Sequence, residues 1–310
     1  MIINGQTIPK NRKTTIDIKI ANLPSNTPID LIAKVYRAKK DGPTLLVIGG
    51  VHGDEVNGIE VVKRAEQMKM FSNLIKGNVI AVPLLNIYGF INYSRGLPDG
   101  KDVNRSFPGS FNGSLASRVA YTLRKKILPH VDFSLDFHTG GKSIYNFPQA
   151  RVYRDDKESI KLAEEFGVPL LIKTSLISKT LRRTAHKMDI PMIVFEGGES
   201  LRMDEFSIEE GLKGLQRVLI ARGMVKGMPE ESRQIVIENS TWLRASRSGM
   251  LKCLKISGEY VKEGDVLGTI TGPYGNFEAK VRAKKDGLIY GHNNQPVVTR
   301  GDALFHIGFE

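Results

Sequence analysis

Short apolar runs that stop on polar, chemistry-bearing residues constrain this chain more than any other feature. Leu45-Leu46-Val47-Ile48 is followed at once by Gly49-Gly50-Val51-His52-Gly53-Asp54-Glu55, and Phe133-Ser134-Leu135-Asp136-Phe137 ends on His138-Thr139-Gly140. A third run, Ile193-Val194-Phe195, ends on Glu196-Gly197-Gly198. Continuous apolar runs of this kind read as strands buried on both faces. Between the first two the period changes, with Val56, Ile59, Val62, Ala65 and Met68 at helical spacing within Glu55–Phe71. Asn78–Leu84 reads as another strand and Ser114–Leu128 as a helix, capped by Ser114 and followed by Pro129. Ser207–Ala221 is the last helix, stopped at Gly223. Strands and helices alternating from Thr44 to Arg222 predict an α/β sheet with helices on both faces. Sites in such sheets form where strands end, so His52, His138 and Glu196 are expected to share one.

The residue types then suggest the chemistry. Two imidazoles and one carboxylate, with a position left to water, are the ligand set of a catalytic zinc centre, where water becomes a usable nucleophile near neutral pH. His52 and Glu55 stand three residues apart, and Gly49, Gly50 and Gly53 permit the tight turn that brings both to one point. Alone, the His52/Glu55 pair reads as a surface pair and His138 as a structural histidine; the matching strand ends unite them. Glu196 at the end of an apolar run needs a task or a partner. A partly desolvated carboxylate moves toward the range of a general base, and Glu199 is the better candidate for capping.

The segment Asn86–Gly113, rich in Gly, Pro, Asn and Ser, is too long for a plain connection and reads as functional. Asn104-Arg105 places a planar two-point donor beside a neutral one, a combination suited to a substrate carboxylate. Asp102 is placed to accept the second N–H of a metal-bound histidine, and Arg95 to meet a developing oxyanion. The alternative is a loop held by its own polar side chains. Arg182 and Arg183 read as a solvated helix face in preference to a substrate contact.

Composition narrows the partners. A net charge of +12 raises nucleic acid as a ligand, but no Lys/Arg block exceeds three residues and aromatics are not interleaved with them. A solvated basic face is the expectation, with no nucleic acid bound. Cys253 is the sole cysteine, so no internal disulfide forms. No signal-like start and no apolar run of spanning length occurs, which predicts a cytoplasmic protein that binds no membrane. A homo-oligomer is compatible with the sequence.

The motifs Gly49-Gly50-Val51-His52-Gly53-Asp54-Glu55, Asp102-Val103-Asn104-Arg105-Ser106-Phe107-Pro108-Gly109, Asp136-Phe137-His138-Thr139-Gly140 and Glu196-Gly197-Gly198 closely resemble, in order, those of the succinylglutamate desuccinylase/aspartoacylase family. The resemblance covers roughly residues 40–225. It implies a mixed-sheet α/β/α domain similar to the zinc carboxypeptidases, with His52, Glu55 and His138 as ligands of one Zn2+ per chain and Glu196 as the base. Asn104 and Arg105 become the substrate-carboxylate clamp. Arg95 matches the family's oxyanion arginine, although it stands further from Asn104.

From about Gln234 the helical period gives way to short strands punctuated by glycine, the pattern of a small β-barrel or sandwich. The linker is read as Arg222–Arg233, giving domains 1–233 and 234–310. Ser257–Gly268 and Lys284–Ile289 resemble the two halves of a biotinyl/lipoyl carrier domain, but the hairpin Thr271–Asn276 lacks the modifiable lysine. Tyr274, Asn276 and His292 are the tail's candidates for reaching the pocket; His130, His186 and His306 are read as structural. The expected function is a zinc-dependent amidohydrolase acting on a small N-acyl amino acid. The rivals are a zinc carboxypeptidase cutting a peptide or peptidoglycan stem and a non-catalytic carrier protein.

Overall fold

A computed structural model of the chain describes residues 1–22, 26–228 and 230–309. Its spine is a mixed sheet of eight strands: β1 (Arg12–Asn22), β2 (Pro28–Arg37), β3 (Lys40–Ile48), β4 (Lys76–Val82), β5 (Phe133–Gly140), β6 (Ile144–Tyr153), β7 (Leu170–Thr174) and β8 (Met192–Glu199). They lie in the order β1-β2-β4-β3-β5-β8-β6, with β7 beside the second half of β6. The centre, β4-β3-β5-β8, is parallel. On the flanks β2 and β6 run antiparallel to it, and β1 is antiparallel to β2.

The middle stretches of the central strands are mostly apolar because both their faces are covered. Leu46, Ile48, Ile80 and Val82 face one core, and Leu45, Val47, Val79 and Ala81 face the other. The helices are α1 (Val56–Gln67), α2 (Ile87–Ile91), α3 (Leu115–Thr122), α4 (Lys157–Phe166), α5 (Leu181–His186) and α6 (Glu205–Ala221). α1, α4 and α6 cover the second core and α3 and α5 the first. Each fully buried Val, Leu or Ile contributes about 1.5–3 kcal/mol. Among the described residues no helix is long and apolar enough to cross a membrane.

Two local readings are corrected and one hairpin is added. The helix expected over Ser114–Leu128 is capped by Ser114, which accepts from Ser117 N–H. It is regular only to Thr122, then widens into a π turn over Leu123–Ile127 and ends in a 3-10 turn at Leu128–His130, where Pro129 has no N–H to continue it. The last helix starts at Glu205 and is capped by Asp204, not by Glu199, which pairs with Arg202 and Asn294. The β1-β2 hairpin was not anticipated, although Ile16, Ile18 and Ile20 alternate with exposed residues as a one-sided strand should.

The tail is β9 (Ile235–Ile237), β10 (Asn239–Arg244), β11 (Gly249–Cys253), β12 (Val266–Thr271), β13 (Glu278–Arg282), β14 (Gly287–Asn293), β15 (Val297–Val298) and β16 (Ala303–Phe309). The layer β13-β12-β11-β15 packs over β10-β16-β14 around Leu267, Ile270, Ile289, Phe305 and Ile307. This C-terminal antiparallel region is bonded into the main sheet. β14 pairs with the first half of β6, Gly291 opposite Asn146, and β9 runs parallel to β7. The ladder therefore crosses the expected boundary at residue 234; Pro229, within the expected linker, lies outside the described residues. The hairpin where a carrier lysine would stand ends on Tyr274, which is 93 % exposed.

Helix α1 sits on the strand ends with no side chain between. A Cβ on Gly58 would lie 2.4 Å from the Phe137 carbonyl oxygen, and one on Gly49 would lie 2.6 Å from that of Gly58. Gly58→Ala normally favours a helix by about 1 kcal/mol. Here the added methyl has nowhere to go, and we expect a net loss of about 1–3 kcal/mol, read as a lower urea midpoint. A raised midpoint would mean that the helix does not rest on this contact.

Candidate metal centre

Three strand ends and one loop build the site. β3 runs into a turn in which Gly50 takes φ +57°, a left-handed conformation costly for a side chain. Gly53 rests on the backbone of α2, where a Cβ would meet Gly89 at 2.0 Å. This turn delivers His52 and Glu55. Glu55 stands at the N-terminus of α1 but makes no capping bond with its side chain, which is turned inward. β5 brings His138, and the parallel register sets Glu196 of β8 directly beside it.

His52, Glu55 and His138 are buried, and their ligand atoms lie within 4.8 Å of one another. His52 Nδ1 is 2.7 Å from Glu55 Oε1, His138 Nδ1 is 2.7 Å from Glu55 Oε2, and the two Nδ1 atoms are 3.1 Å apart. The outer nitrogens face carboxylates: His52 Nε2 is 3.2 Å from Asp102 Oδ1, and His138 Nε2 is 3.0 Å from Asp136 Oδ2. The Asp136 contact is off the hydrogen-bond direction, and neither Asp136 oxygen has another partner among the described residues. Asp102 thus lies where the sequence put it; Asp136, its counterpart, was missed although it stands two residues before His138.

Burial disfavours charge on these groups, but their mutual attraction prevails. Glu55 is held well below the usual carboxylate range by His52 and His138, and both imidazoles are raised by Glu55 together with Asp102 or Asp136. A divalent cation is the ion that this convergence of ring nitrogens on one buried carboxylate suggests. Two converging imidazole nitrogens, one carboxylate and a carboxylate behind each ring fit such an ion.

The other site residues surround this cluster. Glu196 is not an orphan: it accepts from Arg151 Nη1 at 3.1 Å and Asn146 Nδ2 at 2.9 Å. Arg95 donates to Asp102 Oδ2 and Glu55 Oε1, both at 3.0 Å, and so braces a ligand and a ligand's partner. Asn104 accepts from Leu181 N–H through its side-chain oxygen, leaving its amide nitrogen toward the cavity. Arg105 is exposed at the rim and donates to the Asn104 carbonyl.

The cavity these groups line holds about 300 Å³. Sequence reasoning missed several of its walls. Arg151 and Asn146 lie on β6, a strand without any motif, and only sheet register brings them to Glu196. Arg182, read as solvated, is turned inward. Its Nη2 donates to Thr174 Oγ1 and the Ser175 carbonyl, while its buried Nη1 has no partner among the described residues. Burial, then Arg151, pushes its guanidinium down to about 10. Arg183 turns the other way, toward Ser178. Neither Tyr274, Asn276 nor His292 lines the cavity; His292 is buried and accepts from Ser257 N–H. The tail residue that does line it is Trp242.

Comparison with known proteins places this geometry. Residues 41–222 match the succinylglutamate desuccinylase/aspartoacylase catalytic domain. The chain is 29 % identical over 282 residues to an N-alpha-acetyl-L-2,4-diaminobutyric acid deacetylase from Halomonas elongata, covering 85 % of this chain and 81 % of that one. It superposes on the product-bound ectoine utilization protein EutE (DoeB) from Ruegeria pomeroyi with TM-score 0.86 at 23 % identity, over 98 % of both chains. A succinylglutamate desuccinylase/aspartoacylase from Rhodobacter sphaeroides matches with TM-score 0.86 at 25 % identity, again over 98 % of each. With residues 41–222 matched, more than half of its length, and His52, Glu55 and His138 gathered as a metal centre, the chain belongs to the succinylglutamate desuccinylase/aspartoacylase family of amide-bond hydrolases.

Proposed function

We propose that the protein is a zinc-dependent deacylase that cleaves the amide of a small N-acyl amino acid. One observation carries this reading: a His52–Glu55–His138 cluster opens beside Glu196 into a cavity of only about 300 Å³, walled in part by Arg182, whose buried Nη1 has no partner among the described residues. That volume lies at the small end of ligand sites, which favours a compact acyl amino acid over the peptide stem of a carboxypeptidase. The deacetylase from Halomonas elongata makes an N-acetylated amino acid the first substrate to try. The lone Cys253 keeps the cytoplasm as the proposed compartment.

His52, Glu55 and His138 would hold one zinc per chain, which when bound supplies a Lewis acid that polarises the acyl carbonyl and eases loss of a proton from water. Glu196 takes the proton from the attacking water and returns it to the leaving nitrogen. Arg151 and Asn146 hold the Glu196 carboxylate in place for both transfers. Asn104 and Arg105 grip the amino-acid carboxylate and so fix the scissile bond. Arg182, with an unused donor, attracts a further anionic or carbonyl oxygen of the substrate. Arg95 is the donor proposed for the oxyanion; it becomes available once Glu55 is engaged as a ligand.

Three measurements test this reading. His138→Ala should lose zinc and activity together while the protein stays folded, because two remaining ligands hold a catalytic zinc poorly; full occupancy by metal analysis would remove the assignment. Glu196→Gln keeps shape but cannot take a proton, so zinc should be retained while kcat falls by about 10²–10⁴-fold. A near-normal kcat would move the base elsewhere. Arg105→Lys keeps charge but loses the two-point fork. Its kcat/KM should drop strongly for an N-acyl amino acid and little for the same substrate with a neutral carboxamide. Equal losses on both would mean that Arg105 supports the loop.

A further inference from the structure

A second cavity, of about 380 Å³, lies behind the catalytic one and shares with it the side chains of Arg151, Ile177 and Arg182. The remainder of the partition comes from the tail. Trp242 on β10 and His306 on β16 are direct cross-strand partners. Their rings stack at 4.1 Å between centroids and 16° between planes. Trp242 lines the catalytic cavity but not the second, and His306 lines the second but not the catalytic one. The stacked pair therefore presents one ring to each side. Tyr290 fixes it from behind, its hydroxyl 2.6 Å from His306 Nε2 and its ring 4.1 Å from the imidazole. Burial, then Arg151, holds His306 down to about 3, so it adds no charge near neutral pH.

The second cavity has a definite chemical character. Arg151, Arg154, Lys173 and Arg182 line it against one carboxylate, Glu238, which Lys173 already neutralises at 2.9 Å. An anion is the ligand such a lining favours.

We propose that Trp242 is a specificity-determining residue: it closes the catalytic cavity on its tail side, limits the acyl group to a short chain and, by holding His306 against it, keeps that cavity apart from a cationic extension able to take the anionic end of a longer one. The inference rests on the deacylase reading for its kinetic test. The extension itself is tested by binding, which needs no turnover.

The kinetic arm compares N-acetyl, N-pentanoyl and N-glutaryl forms of one amino acid on the zinc-loaded full chain. The wild type should favour the acetyl substrate. Trp242→Ala should raise kcat/KM for the glutaryl substrate at least tenfold and that of the neutral pentanoyl substrate by less. Trp242→Phe, which keeps a ring against His306, should retain most of the wild-type discrimination. Adding Lys173→Ala to Trp242→Ala should remove the glutaryl advantage. Equal gains for the charged and neutral chains, or a parallel fall on all three substrates, would overturn the proposal. The binding arm titrates free glutarate by calorimetry. It should bind more tightly to Trp242→Ala than to the wild type, and the gain should vanish with Lys173→Ala. If no acyl substrate is turned over by the wild type, the deacylase reading fails and the glutarate titration still decides this one. An affinity unchanged by Trp242→Ala would end it.

Discussion

Everything around the site depends on the burial of the Glu55 carboxylate. Glu55 is 1 % exposed, at the mouth of a sheet whose central strands are mainly apolar. A carboxylate in that position is tolerated only if its charge is answered locally. Both its oxygens are taken: one by His52 and Arg95, the other by His138 and the Thr139 N–H. The three side-chain partners are in turn tied back, His52 and Arg95 to Asp102 and His138 to Asp136. The result is a ring of contacts, Glu55–His52–Asp102–Arg95, with His138 and Asp136 as a side arm. A metal ion would enter a place already shaped for positive charge.

That circuit works because the backbone is held equally tightly. The Gly49–Gly58–Phe137 stack and the seat of Gly53 on α2 leave no freedom in where His52 and Glu55 emerge. On the opposite side, Glu196 is aimed by β6, and β6 is itself flanked by the tail. The catalytic cavity is thus formed between an inflexible turn and a seam joining two parts of the chain.

Much of this was legible in the sequence. The apolar runs, their polar terminators and the glycines between them identify the central strands, the metal ligands and the place of Glu196. The loop motif picks out Asn104 and Arg105, which line the cavity, and Asp102, which lies against His52. What remained hidden depended on register across the sheet. Arg151 and Asn146 lie on an undistinguished strand and become site residues only because Glu196 pairs opposite Gln149 between them. Arg182 and Arg183 are adjacent on a six-residue helix, and nothing local says which is buried. Trp242 needed the docking of β14 on β6 before it could reach the cavity. The tail candidates failed for the same reason: Tyr274 was placed by loop chemistry, but its hairpin points into solvent.

The pairing of Gly291 with Asn146 has a consequence for how the chain can vary. Without β14, the first half of β6 would be a bare edge, its unpaired N–H and C=O groups open to any strand nearby, and such edges template aggregation. Asn146, which steadies Glu196, sits on that edge. The tail therefore acts as an edge guard as well as a pocket wall. A shortened chain would forfeit solubility and the alignment of Glu196 at one stroke, which ties the C-terminal strands to the domain they follow.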